Sequence, residues 1–130
     1  MDKPLWARLC HAATRVEARL EAACGMSLAW HGVLGVLAGS AEPLALTELA
    51  QRLSCVKSNV TQLVNRLEAE GLVERRDDVV DKRCKRAALT VEGRRRWEAS
   101  NAALEGASAA LLGEFSGEER ELLRRLLEKL

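Results

Sequence analysis

The sequence predicts a mainly α (α+β) fold, because three patterns follow one another along it. Apolar residues return at helical spacing through most of the 130 positions. Two short helical patterns stand on either side of a brief turn between Leu46 and Glu70, and a charged loop between two strand-like runs follows from Leu72 to Thr90. Helix, turn, helix and hairpin in that order make a winged helix-turn-helix, with further helices at both ends. At 48% hydrophobic residues the chain can bury one compact core but hardly two, so residues 1–130 read as a single domain.

Leu5, Leu9, Ala13, Val16, Leu20 and Ala23 recur at spacings of three and four, which places them on one face of a helix ended by Gly25. Leu28 to Ala38, with Val33, Leu34, Val36 and Leu37, is a mostly buried helix that gives way to Gly39, Ser40 and Pro43. Thr47 is a suitable N-cap for a short helix from Glu48 to Leu53, whose Ala50 and Leu53 turn inward. After a turn, Val60, Leu63, Val64 and Leu67 fit the i, i+3, i+4, i+7 rule and bury one stripe. The opposite face carries Lys57, Ser58, Asn59, Thr61, Gln62, Asn65 and Arg66, all hydrogen-bond donors, with no carboxylate before Glu68. Such a face can meet phosphates and base edges without electrostatic penalty.

Gly71 caps that helix, and Leu72 to Arg75 and Arg86 to Thr90 are two strands joined by Arg76 to Lys85. The loop is too long and too charged for a plain hairpin turn. Its core of Asp81, Lys82 and Arg83, flanked by Arg75, Arg76, Lys85 and Arg86, is a protruding cationic tip suited to a minor groove or a phosphate backbone. Asp81, two residues before Arg83, can hold the guanidinium in one geometry by a bidentate contact.

From Val91 a helical period returns and runs to Leu112, with Trp97, Leu104, Ala107 and Leu111 as candidate buried positions. Ser116 and Glu119 have the spacing of a capping box for a last helix, Gly117 to Leu130. Leu122, Leu123, Leu126, Leu127 and Leu130 make that helix strongly apolar on one side, and in so small a protein this needs a partner surface. With the first helix it forms a subunit interface, so residues 1–24 and 91–130 are dimerisation helices around a reading head at 28–90. A symmetric dimer would set two reading helices about 34 Å apart, one turn of DNA.

Charge follows the same division. The whole chain carries a formal +1, but from Arg52 to Arg96 there are 12 Lys or Arg against 7 Asp or Glu, net +5, while the remainder has 8 against 12, net minus 4. The basic residues lie where the reading head is expected, and the acidic remainder suits a body that stays off phosphate.

The order LTELAQRL, SNVTQLVNRLEAEGLVERR, DKR and AALTVEGRR resembles the MarR family of bacterial transcriptional regulators. The likeness covers almost the whole chain and is most specific from Leu46 to Gly93. It implies a homodimer on a pseudo-palindromic operator of double-stranded DNA, with the helix from Lys57 in the major groove and Arg83 in the minor groove. Asp81 matches the family's wing aspartate. The sequence also departs from the family. Val56 stands where relatives carry a Ser or Thr cap, which leaves helix amides to Ser54, water or a phosphate. His31 stands where relatives tend to have an aromatic lining the cleft for small phenolic ligands, and Trp30 is a second candidate for that cleft wall.

The four cysteines, Cys10, Cys24, Cys55 and Cys84, form no CxxC pair, so neither a disulfide framework nor a zinc ribbon is indicated. Cys10 resembles the reactive thiol of the family's peroxide-sensing branch, but the chain has no tyrosine to stabilise its thiolate, and a small buried hydrophobe is the simpler role. Cys24 lies about 21 Å from Cys10 along a helix at 1.5 Å per residue, so the two could bridge only across a dimer. Cys55 packs between the two helices of the head, and Cys84, beside two basic residues, is the most accessible thiol. His11 and His31 with Cys10 and Cys24 match no compact metal motif.

These readings converge on a dimeric DNA-binding regulator, a repressor released from its operator by a small-molecule or oxidant signal. The alternatives are a winged-helix protein-interaction module and a thiol- or metal-responsive sensor of the same fold. A phosphate-binding glycine loop, GxSxG and HExxH are all absent, so no enzyme and no cofactor is expected. No apolar run approaches the roughly 20 residues of a membrane span, and the chain reads as soluble and cytoplasmic without a membrane partner.

Overall fold

The computed structural model describes residues 2–55 and 57–130, apart from the Lys57 side chain. Val56, and with it the expected weak helix cap, lies outside the described residues. The elements in order are α1 (Leu5–Cys24), α2 (Leu28–Ala38), β1 (Leu44–Ala45), α3 (Leu46–Arg52), α4 (Lys57–Ala69), β2 (Val73–Asp77), β3 (Lys85–Leu89), α5 (Val91–Leu112) and α6 (Gly117–Leu127). The strands form an antiparallel sheet in the order β1-β3-β2, with Leu44 opposite Ala87 and Val73 opposite Leu89. Among the described residues, six helices with this small sheet make the mainly α, α+β winged-helix arrangement expected.

The core sits in the head, joined by Met26 from the turn before α2. Val33, Leu34 and Leu37 of α2, Leu46, Leu49 and Ala50 of α3, and Val60, Val64 and Leu67 of α4 close over Leu72, Val73 and Ala87. Each large side chain among them contributes about 1.5–3 kcal/mol by leaving water. α4 is thereby fixed by one stripe, which leaves the opposite stripe to solvent. Helices α1 and α6 bury no residue, although α1 packs along α5.

Both helices of the reading head end in the same way. After α3, Cys55 N donates to Ala50 O at 3.0 Å with Ser54 left-handed at φ 53°, and after α4, Leu72 N donates to Leu67 O at 2.9 Å with Gly71 at φ 76°. Between α1 and α2, Glu21 Oε2 accepts from Leu28 N at 2.8 Å, tying the end of one helix to the start of the next. Ser116 and Glu119 make the expected capping box, and Arg120 closes the end of α5 by donating to Leu112 O at 2.8 and 3.1 Å.

Several expectations need correction. Thr47 is not a cap: β1 pairing carries an extended Ala45 straight into the helix, so α3 starts at Leu46 with Ala45 as its N-cap. The strands run Val73–Asp77 and Lys85–Leu89, each displaced towards the tip, because cross-strand pairing continues to Asp77 opposite Lys85. Leu53 does turn inward and packs half-buried against the core, as does Trp97, while Leu104, Ala107 and Leu111 are half-buried instead of buried. α6 ends at Leu127. Cys55 is exposed instead of packed, because the turn holding it bulges outward at Ser54.

One close approach locks the head to α5. Thr90 caps α5 by accepting from Gly93 N at 2.9 Å, donates its hydroxyl proton to Gly71 O at 2.7 Å, and donates its amide to Leu72 O at 3.2 Å. A Cβ on Gly93 would stand 1.9 Å from Leu72 O. Gly93→Ala is therefore expected to lower the unfolding free energy by about 2–3 kcal/mol in urea titration. Gly106→Ala, in a helical position with open space around it, should be neutral or stabilising by up to about 1 kcal/mol.

Candidate nucleic-acid interface

The outer stripe of α4 is built by the same periodicity that buries its inner one. Ser58, Gln62 and Asn65 follow one another at spacings of four and three, and all three are exposed, as are Asn59 and Arg66. Among the described residues Ser58, Asn59, Gln62 and Arg66 make no side-chain hydrogen bond or ion pair within the chain, so their donors and acceptors are available to a partner. Thr61 is half-buried on the flank of the stripe.

The wing is a network of paired charges. Asp77 of β2 and Lys85 of β3, directly opposite in register, form an ion pair. Asp78 accepts from Arg86 Nε at 2.9 Å and from Asp81 N at 3.3 Å, and Arg86 also donates to Pro43 O at 3.3 Å, anchoring the wing to the segment before β1. Asp78 N donates to Cys84 O at 3.1 Å and closes the loop.

At the tip, Asp81 Oδ1 accepts from Arg83 Nε at 3.2 Å and from Arg83 N at 3.0 Å, while Oδ2 accepts from Nη2 at 3.4 Å. This is the bidentate hold that the spacing of Asp81 and Arg83 suggests, and it leaves the Arg83 side chain 91% exposed. The arginine is thus oriented yet open, which reduces the entropy lost when it docks. Hydrogen bonding from Arg83 holds the Asp81 carboxyl below its ordinary range, and that from Arg86 does the same for Asp78. Lys82 is exposed beside them.

Arg75 differs from the other wing cations. Its side chain crosses to α4, where Nη2 donates to Asn65 Oδ1 and, at 3.4 Å, to Thr61 O. The helix and the wing are therefore joined through a residue that sequence reasoning had placed at the outer surface. Val79 and Val80 went unnoticed in the sequence. They form the crest of the wing, 96% and 93% exposed, where turns ordinarily carry small polar residues.

Trp30 and His31 lie elsewhere, where α2 meets α5. His31 Nδ1 is 2.9 Å from the buried Ser100 Oγ, and its ring stacks on Trp97 at 6.4 Å. With the Ser100 hydroxyl donating to Trp97 O at 3.0 Å, its oxygen accepts from Nδ1–H, the tautomer that leaves Nε2 of the neutral ring as an acceptor. Burial lowers the His31 pKa, favouring that neutral form. Trp30 packs against the core, and neither residue lines the shallow grooves that lie beside Pro43 and Arg76 at the wing and beside Arg94 at the start of α5.

Cys10 and Cys84 are exposed, with Cys84 Sγ 3.8 Å from Asp81 Oδ2. Among the described residues no group of three or more His, Cys, Asp or Glu is gathered to hold a metal ion.

This head is shared with known proteins. The MarR family model matches residues 25–83, and YdgJ, an HTH-type transcriptional regulator of Bacillus subtilis (strain 168), is 30% identical over 115 residues, 88% of this chain and 70% of that protein. The chain belongs to the MarR family. The transcriptional regulator HosA of Escherichia coli O111:H- is 35% identical over 89 residues, 68% of this chain and 64% of HosA, so the chain spans under two thirds of that relative's length. Among solved structures, Sco3205 of Streptomyces coelicolor, a MarR family transcriptional regulator determined in complex with DNA, is 29% identical with a TM-score of 0.82, covering 98% of this chain and 89% of that one. Among the described residues no single helix is long and apolar enough to cross a membrane.

The wing network makes a pH prediction. The Asp81 pKa is lowered, so its contact with Arg83 is complete above the ordinary carboxylate value, near 3.9, and is lost only as pH falls through the lowered native value. In an NMR titration of the Asp81 carboxyl carbon, Arg83→Ala should move the midpoint upward. An unchanged midpoint would show that Arg83 does not hold this carboxylate.

Proposed function

We propose that the chain is a dimeric, cytoplasmic DNA-binding regulator that represses by occupying a pseudo-palindromic operator. The observation that carries the reading is the juxtaposition of an uncharged donor stripe on α4 with an arginine held open by Asp81 at the wing tip. Ser58, Asn59, Thr61, Gln62, Asn65, Arg66 and Lys57 would face a major groove, with Arg83, Lys82 and Lys85 on the flanking backbone and minor groove. Val79 and Val80 would pack on the deoxyribose walls beside Arg83.

Surface area supports the dimer. A compact monomer of 14.3 kDa exposes roughly 6,800 Å². This chain exposes 9105 Å², an excess of roughly 2,300 Å² that suits the large interfaces of obligate dimers. Leu5 and Trp6 of α1 and Leu122, Leu126 and Leu127 of α6 are from 49 to 81% exposed and would supply its apolar part.

An effector site at Trp30 and His31 would have to open on ligand binding, since neither residue lines a groove here, and Nε2 would then accept a hydrogen bond from a small molecule carrying a donor such as a phenol. Oxidation of Cys10 or Cys84 is the second way to release DNA. An effector with 100-fold preference for the DNA-incompetent state contributes about 2.7 kcal/mol, enough to empty a marginally occupied operator.

Gel-shift titration over a range of salt on DNA selected by the protein tests the reading. Arg83→Ala should weaken binding markedly and reduce the slope of log K against log salt by about 1. Val79→Thr with Val80→Thr should weaken it without altering the slope, since no phosphate contact is lost. Retention of full affinity and slope by Arg83→Ala would refute the wing contact.

A further inference from the structure

Arg75 is a wing residue whose guanidinium serves the helix. Its Nη2 donates to Asn65 Oδ1 and to Thr61 O, its backbone amide donates to Glu68 Oε2 at 3.2 Å, and its Nε is buried without a partner. A guanidinium has only donors to offer, so the Asn65 amide must turn its one acceptor atom, Oδ1, towards it. Both N–H groups of Nδ2 are then left for the exposed side of Asn65, in the stripe shared with Ser58 and Gln62.

This arrangement restricts what Asn65 can read. The usual asparagine contact with adenine is bidentate, Nδ2 donating to N7 while Oδ1 accepts from the N6 amino group. At Asn65 the oxygen already accepts from a cation, and a second donor there would lie in the field of the same guanidinium. That field also polarises the Nδ2 protons outward and strengthens them as donors. We propose that Arg75 is a positioning residue that fixes Asn65 as a donor-only reader, so that the base edge beneath Asn65 is selected for acceptors, O6 and N7 of guanine or O4 of thymine. Adenine also offers an acceptor, N7, but its N6 amino group, like the N4 amino group of cytosine, would face the outward Nδ2 donors and is disfavoured. Arg75 on this account shapes specificity and is not itself a phosphate contact.

The inference rests on the DNA-reading role proposed above, and the test keeps the two apart. Sites are selected from random double-stranded DNA by the wild-type protein and by Asn65→Ala, Arg75→Gln, Arg75→Lys and Asn65→Asp, each checked for folding by thermal unfolding. The position whose preference Asn65→Ala abolishes is the one beneath Asn65. There the wild type should favour guanine or thymine roughly tenfold over adenine. Arg75→Gln should admit adenine at that position alone, while Arg75→Lys, which keeps a cationic donor for Oδ1, should restore the preference. Should Arg75→Gln fail to fold, Asn65→Asp decides: it keeps a partner for Arg75 but has no outward donor, and should lose the guanine or thymine preference. Adenine or cytosine as the wild-type base, or an unchanged preference in folded Arg75→Gln, overturns the proposal. Failure of the wild type to enrich any sequence would instead remove the DNA-reading role, and this inference with it.

Discussion

The position of the long helix α5 depends on a glycine. Gly93 lets the first turn of α5 close on the carbonyl of Leu72, at a separation no side chain permits, and Thr90 binds the same turn through Gly71 O and Gly93 N. At this point the end of α4, the start of β2, the end of β3 and the start of α5 meet. Head and long helix therefore cannot swing separately without breaking the bonds from Thr90 to Gly71 O and Leu72 O and opening a close-packed contact. A displacement of α5 at one end must appear at α4 and the wing at the other, which is the mechanical condition for an effector or a partner subunit to alter DNA binding.

The rest of the architecture follows from where the apolar surface goes. The head closes its own core, but α1 and α6 bury nothing, and α5 buries only Gly93 and Ser100. Apolar stripes that a chain leaves open call for a second surface, and in the proposed dimer a copy of the same chain would supply one symmetrically. In the wing, by contrast, stability comes from local polar order. Asp77, Asp78 and Asp81 each hold a cation, which keeps a short exposed hairpin in one shape and makes its net charge small. Contact area and orientation, more than raw charge, then distinguish what this wing can do.

Much of this was open to reading in the sequence because it is local or periodic. The stripes of α1, α2 and α4, the capping box at Ser116 and Glu119, the glycine turn at Gly71 and the Asp81–Arg83 contact all depend on residues within a few positions of each other. What escaped depends on distant partners. β1 is two residues long and exists only through pairing with β3, and that pairing is what moves the start of α3 from Glu48 to Leu46. Arg75 looks like a surface cation until Asn65, 10 positions away, is seen to hold it. Trp97 and Leu111 are half-buried instead of buried, because what covers the long helix is set by elements far off in the sequence.

The most direct test of the account is a hydroxyl-radical and methylation footprint of the protein on its selected DNA, with its mass measured in the same buffer. The account predicts a complex containing two 14.3 kDa chains and two protected major-groove segments about 10 base pairs apart, each flanked by minor-groove protection from a wing. One chain bound to one protected segment, or uniform protection without sequence preference, would contradict it.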